Sequence, residues 1–91
     1  MAIYVIGYDI HPSQGQTYTK LEEAIKSFGD WWHCLDSTWL IKTNWTSVQV
    51  RDFIWGHMYS NDKLLVVEYR HGHAAWNGFS GDCQSWLKNN M

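Results

Sequence analysis

The residues best suited to chemistry in this chain lie just after its first apolar run. Asp9 ends that run, and His11 follows two positions later. A carboxylate placed there can hold a hard divalent cation such as Mg²⁺ or Mn²⁺, with water and substrate phosphate as the remaining ligands. Aspartate is equally suited to ending a strand and stabilising the turn that follows. Asp9 is therefore a candidate catalytic and metal-ligating residue, and the structural role stays open beside it.

A second pair of histidines comes late in the chain. His71 and His73 flank Gly72, directly after the last predicted strand. A His-x-His pair can bind Zn²⁺ when a third ligand converges on it, and the sequence identifies no third ligand. In the topology predicted below, the pair lies at the opposite end of the sheet from Asp9 within one protomer. A solvated loop is the alternative interpretation.

Aromatic side chains are the third candidate, since the 91 residues include seven tryptophans. Stacking of a nucleic-acid base on an aromatic ring contributes about 1–3 kcal/mol. Tyr4, Tyr8 and Trp39 are predicted on a strand face that we also assign to a dimer contact, whereas Trp76 and Phe79 lie in a loop. The ligand-binding candidates are Tyr8, His11, Trp76 and Phe79.

Charge and composition restrict the partners. The formal net charge is −2, and the seven Lys and Arg residues are scattered rather than gathered into a stripe. This distribution disfavours binding along an extended duplex, although it permits recognition of one nucleotide or a short strand. Cys34 and Cys83 form no CxxC pair, and no apolar run approaches the ~18 residues of a membrane span. We expect reduced thiols, a cytoplasmic location and no membrane contact.

Hydrophobic patterning predicts four strands. Three of them are rich in β-branched or aromatic residues, and the first and last are apolar on both faces, which predicts cover on both faces. A turn-type cluster, Ile10–Gln16, follows the first strand, and Asp36 and Ser37 separate the middle two. The predicted strands are Ala2–Asp9, Trp31–Leu35, Thr38–Thr43 and Lys63–Tyr69.

Three helices complete the predicted set. A Thr followed three residues later by Glu or Gln has the spacing of a capping box, and it predicts helix starts at Thr19 and Thr46. Each is followed by an apolar stripe at helical spacing. After a loop over Arg70–Gly81, a short helix at about Asp82–Asn89 presents Cys83, Trp86 and Leu87.

This order predicts one α+β domain over residues 1–91, a ferredoxin-like βαββαβ sandwich with a short C-terminal helix. The core spans residues 2–69, and residues 70–91 form the loop and last helix. Two helices cover one face of the sheet in such a fold. The other apolar face predicts a homodimer formed through the sheet face, because an exposed apolar patch of that size marks an interaction surface.

Several segments resemble a known group of proteins. Tyr8-Asp9-Ile10, Gly29–His33, Asp36–Thr43 and Asn61–Val67 are similar to the small bacterial and phage proteins labelled SinR-like, relatives of the dimeric CRISPR-associated adaptation protein that is second of its series. The resemblance covers about residues 2–69. It implies a ferredoxin-like nuclease superfamily, dimerisation through the sheet face, and a divalent metal held by one Asp9 from each protomer. The chain departs from the group in lacking a basic first helix and loop.

Three functions follow as hypotheses. The first is a non-catalytic or weakly catalytic homodimer that binds a nucleotide or nucleic acid through the loop that holds Trp76 and Phe79. The second is a metal-dependent endonuclease or phosphodiesterase that uses Mg²⁺ or Mn²⁺ bound by paired Asp9 residues. The third is a structural or protein-interaction subunit. The sparse basic charge favours the first.

Overall fold

A single antiparallel sheet of four strands organises the computed structural model, which describes residues 1–11 and 18–91. The strands lie in the order β2-β3-β1-β4, and every neighbouring pair is antiparallel. The predicted turn over Ile10–Gln16 falls mostly on residues 12–17, outside the described residues. The elements are β1 (Ala2–Asp9), α1 (Thr19–Lys26), β2 (Asp30–Leu35), β3 (Thr38–Thr43), α2 (Ser47–Trp55), β4 (Lys63–Glu68) and α3 (Gly81–Asn90).

The α+β class is therefore confirmed at the level of a four-stranded antiparallel sheet with three helices. The third helix extends the chain beyond the six-element βαββαβ plan. In the part of the chain that the structure describes, no helix is long and apolar enough to cross a membrane.

The two helix starts differ in their capping. At α2 the Thr46 hydroxyl accepts the Gln49 N–H at 3.2 Å, and the Gln49 side chain accepts the Thr46 N–H at 2.9 Å, so this capping box is confirmed. The capping box predicted at Thr19 is wrong. Helix α1 begins there, but Tyr18 is its N-cap residue and makes no side-chain cap bond. Thr19 is already helical, whereas a capping residue must lie one position before the helix.

Helices α1 and α2 cover one face of the sheet, which we call the helix face. Tyr4 and Trp39 are almost fully buried beneath them, and Tyr8 packs against the same cluster. The expectation that Tyr4, Tyr8 and Trp39 face a partner subunit is thus wrong, because the chain's own helices take that face. The buried cluster comprises Tyr4, Ile6, Leu21, Ile25, Trp39, Ile41, Val50 and Ile54.

The opposite side of the sheet, the second face, is covered in part by α3 and the segment before it. Leu87 of α3 forms a separate buried cluster with Trp32 of β2 and Leu40 of β3. Trp76 and Phe79 pack against this cluster from the loop. The cover extends over β2 and β3 and leaves β4 open, where Leu65 and Val67 keep 64% and 47% of their surface exposed.

A disulfide between Cys34 of β2 and Cys83 of α3 fastens this cover to the sheet, and the Cα atoms are 6.3 Å apart. The expectation of reduced thiols is wrong, because the tertiary structure brings together two cysteines that are 49 positions apart in sequence. A covalent loop of this length restricts the unfolded chain by about 4 kcal/mol in the chain-entropy description.

We expect that replacing both cysteines by serine (Cys34→Ser with Cys83→Ser) lowers the free energy of unfolding by about 2–4 kcal/mol. Urea denaturation followed by circular dichroism measures this loss, and reduction of the unmodified protein should reproduce it. Reductant should have no further effect on the double variant, which serves as the control. An unchanged unfolding free energy in the double variant contradicts a stabilising role for the disulfide.

Candidate functional site

The end of β1 carries the residues that the sequence singled out first. Asp9 pairs across the sheet with Lys63 of β4, and the His11 Nε2 lies 3.7 Å from a carboxylate oxygen of Asp9. Both side chains are more than half exposed. The structure therefore brings Asp9 and His11 together in solvent. A divalent ion here would have this carboxylate and imidazole as its protein ligands, with water or phosphate oxygens as the rest.

Within residues 1–11 and 18–91, no three His, Cys, Asp or Glu side chains come together as a metal-binding group. His71 and His73 lie beyond the far end of β4, since the register pairs Asp9 with the first residue of that strand. This separation within one protomer agrees with the sequence prediction. The loop there is ordered locally by the Tyr69 hydroxyl, which accepts the Gly72 N–H at 3.0 Å.

Asp62, which the sequence analysis did not single out, joins three segments close to Asp9. Its carboxylate accepts the Tyr18 hydroxyl at 2.8 Å and the backbone N–H groups of Tyr59 at 2.9 Å and His11 at 3.2 Å. The side chain is almost fully buried. Asp62 thus fixes the residues that border segment 12–17 on both sides, His11 and Tyr18. The sequence marked Asp62 only as part of a Ser-Asn-Asp turn. Of its three hydrogen-bond donors, only Tyr59 is near in sequence.

These hydrogen bonds set the ionisation of the cluster. Burial alone would raise the pKa of Asp62, but the donors from Tyr59, Tyr18 and His11 outweigh it and hold the pKa below the usual value. Burial and the hydrogen bond to Asp62 raise the pKa of Tyr18 to about 12. At neutral pH a charged carboxylate therefore faces a neutral phenol, so this pair is a structural contact.

Tyr8, a predicted ligand-binding residue, lies under the helices. Its hydroxyl accepts the indole N–H of Trp39 at 2.9 Å, and burial raises the pKa of this phenol. The ring of His33 stacks on Trp39 at 3.7 Å between centroids. Tyr8 is thus bonded to Trp39 through its hydroxyl. The Trp39 ring is fully buried and stacked on His33, so it offers no free surface to a base.

The second face holds the other two predicted ligand-binding residues in one place. Trp76 and Phe79 line an open cavity of about 150 Å³ between the sheet, the loop and α3. We call this space the aromatic cavity. Its walls are almost wholly apolar, and Thr38 is their one side-chain hydroxyl. The lining residues are Trp32, Leu35, Thr38, Leu40, Ala74, Ala75, Trp76, Phe79, Leu87 and Met91.

Hydrogen bonds orient the rings of the aromatic cavity. The indole N–H of Trp32 donates to the backbone carbonyl of Cys83 at 3.1 Å, and that of Trp76 donates to the Gln84 side chain at 3.0 Å. Phe79 meets Trp32 edge to face, with ring centroids 5.1 Å apart. Because both indole N–H groups already bond to α3, the aromatic cavity offers mainly ring and aliphatic surfaces, beside the Thr38 hydroxyl.

Comparison with known proteins adds no family. No protein-family model matches the chain, and no solved structure matches it significantly.

We expect stability to depend on Asp62 at low pH. The depressed pKa of this carboxyl group means that its stabilisation is complete above the unfolded-state pKa of about 3.9 and is lost as the pH falls through the lower folded-state value. Asp62→Asn should therefore destabilise the protein at pH 7 and flatten the acid limb of its stability curve. Chemical denaturation across the range from pH 7 down to pH 2 measures both effects. Asp52→Asn, at an exposed position on α2, is the matched control. If the stability of Asp62→Asn falls with decreasing pH as steeply as that of the unmodified protein, the stabilising role of the Asp62 carboxylate is contradicted.

Proposed function

We propose that this protein is a binding domain that holds a flat, uncharged ring, the base of a nucleotide or of a short single strand, in the aromatic cavity. One observation carries the proposal: the loop residues Trp76 and Phe79 converge with Trp32 on a single open cavity. This convergence supports the sequence hypothesis that the loop binds a ligand.

The size and the walls of the cavity favour one ring. An engineered cavity of about 150 Å³ with apolar walls binds benzene, and this cavity has the same volume. Stacking on an aromatic side chain contributes about 1–3 kcal/mol per base. Because the cavity is open to solvent, a base can enter while its sugar and phosphate stay outside.

The charge of the site favours the base over the phosphate. None of the side chains that the structure places around the aromatic cavity is charged, so they offer no ion pair to a phosphate group. The chain as a whole carries a net charge of −2, which opposes accumulation along a polyanion. Recognition should therefore depend weakly on salt and strongly on the presence of a base.

The resemblance to CRISPR-associated adaptation proteins supports a nucleotide or nucleic acid as the ligand. Under this proposal the β1-α1-β2-β3-α2-β4 part is a ferredoxin-like core, and α3 is an addition that builds the cavity. The disulfide to α3 favours an oxidising setting over the reduced cytoplasm expected from the sequence, because such bonds persist mainly in oxidising compartments.

We expect Trp76→Ala to weaken binding of a base at least about five-fold, since it removes one stacking surface. Isothermal titration with uridine monophosphate, adenosine monophosphate and a short oligothymidylate measures the affinity. Trp55→Ala, an exposed tryptophan of α2 outside the cavity, is the matched control and should bind as the unmodified protein does.

Ribose 5-phosphate tests the same proposal from the ligand side, because it retains the sugar and phosphate and lacks the base. It should show no binding under conditions in which the nucleotides bind. Equal binding of ribose 5-phosphate, equal loss in Trp55→Ala and Trp76→Ala, or no binding of any base-containing probe would each overturn the proposal.

A further inference from the structure

The outer edge of β4 is the boundary of the sheet, and the hydrogen-bond pattern shows which of its backbone groups face outward. The Tyr69 N–H donates to the Ile3 carbonyl at 2.7 Å, so these opposite residues form a hydrogen-bonded pair. Along an antiparallel ladder, hydrogen-bonded residue pairs alternate with pairs that are not hydrogen-bonded. The N–H and C=O groups of Leu64, Val66 and Glu68 therefore point away from β1. In residues 1–11 and 18–91, no hydrogen bond joins these groups to another element.

Strand β4 also has few of the features that protect sheet edges. Its six residues pair with β1 without a register shift, and none of them is proline. Charged side chains occur only at its two ends, Lys63 and Glu68. Leu65 and Val67 between them are exposed on the second face. An apolar edge of this kind, with outward backbone groups that are not hydrogen-bonded, is a template for a further strand.

We propose that β4 pairs antiparallel with β4 of a second copy of this chain, about a two-fold axis at Val66, so that the two sheets become continuous. In this register Val66 lies opposite the partner's Val66, and Leu64 lies opposite the partner's Glu68. The interface is isologous and closes as a dimer. It differs from dimerisation through the sheet face, and it does not depend on the proposed binding of a base.

This register satisfies every outward backbone group of the strand. Leu64, Val66 and Glu68 each exchange both an N–H and a C=O bond with an outward residue of the partner strand. With the two-fold axis at Leu65 instead, Leu64 would lie opposite the partner's Val66. Only these two outward residues of each strand would then be paired. The outward groups of Glu68 would then lie beyond the end of the partner's β4.

The apolar side chains agree with this register on the second face. Leu65, at 64% exposure, lies opposite the partner's Val67, and Val67, at 47% exposure, lies opposite the partner's Leu65. Side chains that are directly opposite on antiparallel strands have Cβ atoms about 4.5–5.5 Å apart. Pairing therefore covers the aliphatic surface that α3 leaves open.

Charges are complementary on the helix face. Arg51 of α2 lines a groove of about 180 Å³ with Leu64 and Val66, and the partner's Glu68 lies opposite Leu64. Glu68 points to the helix face because it pairs directly with Tyr4, which is buried there. Each protomer thus contributes one Glu68 to the partner's Arg51. The present partner of Arg51 is its neighbour Asp52 at 2.7 Å, and both are exposed, so that pair holds the guanidinium weakly.

The same geometry separates the two copies of Asp9. Strand β1 is one strand further from the axis than β4, and Asp9 lies at the Lys63 end of the ladder. From the spacings of strands and residues in a sheet, the two carboxylates lie roughly 20 Å apart or more. An edge dimer therefore cannot place both Asp9 residues on one metal ion.

Charge exchange tests the dimer. Arg51→Glu and Glu68→Lys should each weaken the dimer about ten-fold or more, because each places like charges together at both symmetric contacts. The double variant (Arg51→Glu with Glu68→Lys) restores opposite charges and should recover the dimer. Glu23→Lys, on the exposed side of α1, has the same charge change as Glu68→Lys and is the control. Sedimentation equilibrium over a concentration series measures the dissociation constants.

Hydrogen exchange identifies the edge itself. The amides of Leu65 and Val67 bond to β1 in the monomer and should be protected at every concentration. Those of Leu64, Val66 and Glu68 should become protected only as the dimer forms, and they should stay unprotected in Leu65→Lys. A far-ultraviolet spectrum that matches the unmodified protein confirms that Leu65→Lys is folded, as its exposure suggests.

A monomer at all concentrations overturns the proposal. So does a dimer that forms equally well in Leu65→Lys, a dimer that the charge exchange does not restore, or a dimer whose formation leaves the outward amides unprotected. Because base binding is measured at the aromatic cavity on the second face, failure of the dimer leaves that proposal standing, and the converse also holds.

Discussion

The structure depends on one constraint: the central strand β1 is apolar on both faces, so both faces of the sheet must be covered. On the helix face, Tyr4, Ile6 and Trp39 are buried by α1 and α2. On the second face, Trp32 and Leu40 are buried by α3 and the loop before it. A chain of 91 residues has little core to spare. Helix α3 is therefore as important to this fold as α1 and α2, the two helices that connect strands of the sheet.

The cover on the second face is small, because α3 contributes a single buried side chain, Leu87. The helix is joined to β2 by the Cys34–Cys83 disulfide and by hydrogen bonds of the Trp32 and Trp86 indoles, and Lys42 of β3 donates to Asn90. The aromatic cavity is lined by side chains from β2, β3, the loop and α3. The Cys34–Cys83 disulfide joins β2 to α3, two of the elements that supply these walls.

The structure places the candidate residues predicted from the sequence in very different surroundings. Trp76 and Phe79 were predicted as ligand-binding residues in a loop, and they share a cavity because the loop folds back over β2 and β3. Tyr8 was predicted as an aromatic residue of the first strand, and it is partly buried against the helix-face cluster. Asp9 and His11, two positions apart in sequence, lie 3.7 Å apart at the end of β1, measured from the His11 Nε2 to an Asp9 carboxylate oxygen. Asp62 was not predicted, because a buried carboxylate is recognisable only from its donors, two of which are more than 40 positions away.

By itself the sequence determined the local elements: the four strands, the start of α2 at its capping box, and the approximate extent of the last helix. These depend on periodicity and on contacts within a few residues, which a linear pattern contains. Only the tertiary structure decided which helices cover which face, whether the two cysteines form a disulfide, and which edge of the sheet stays open. Each of these depends on contacts between residues far apart in the chain. The alternation of side chains along a strand defines its two faces, but it does not predict which element will cover each face. A C-terminal helix can lie on either face, and here a bond between Cys34 and Cys83 places it on the second.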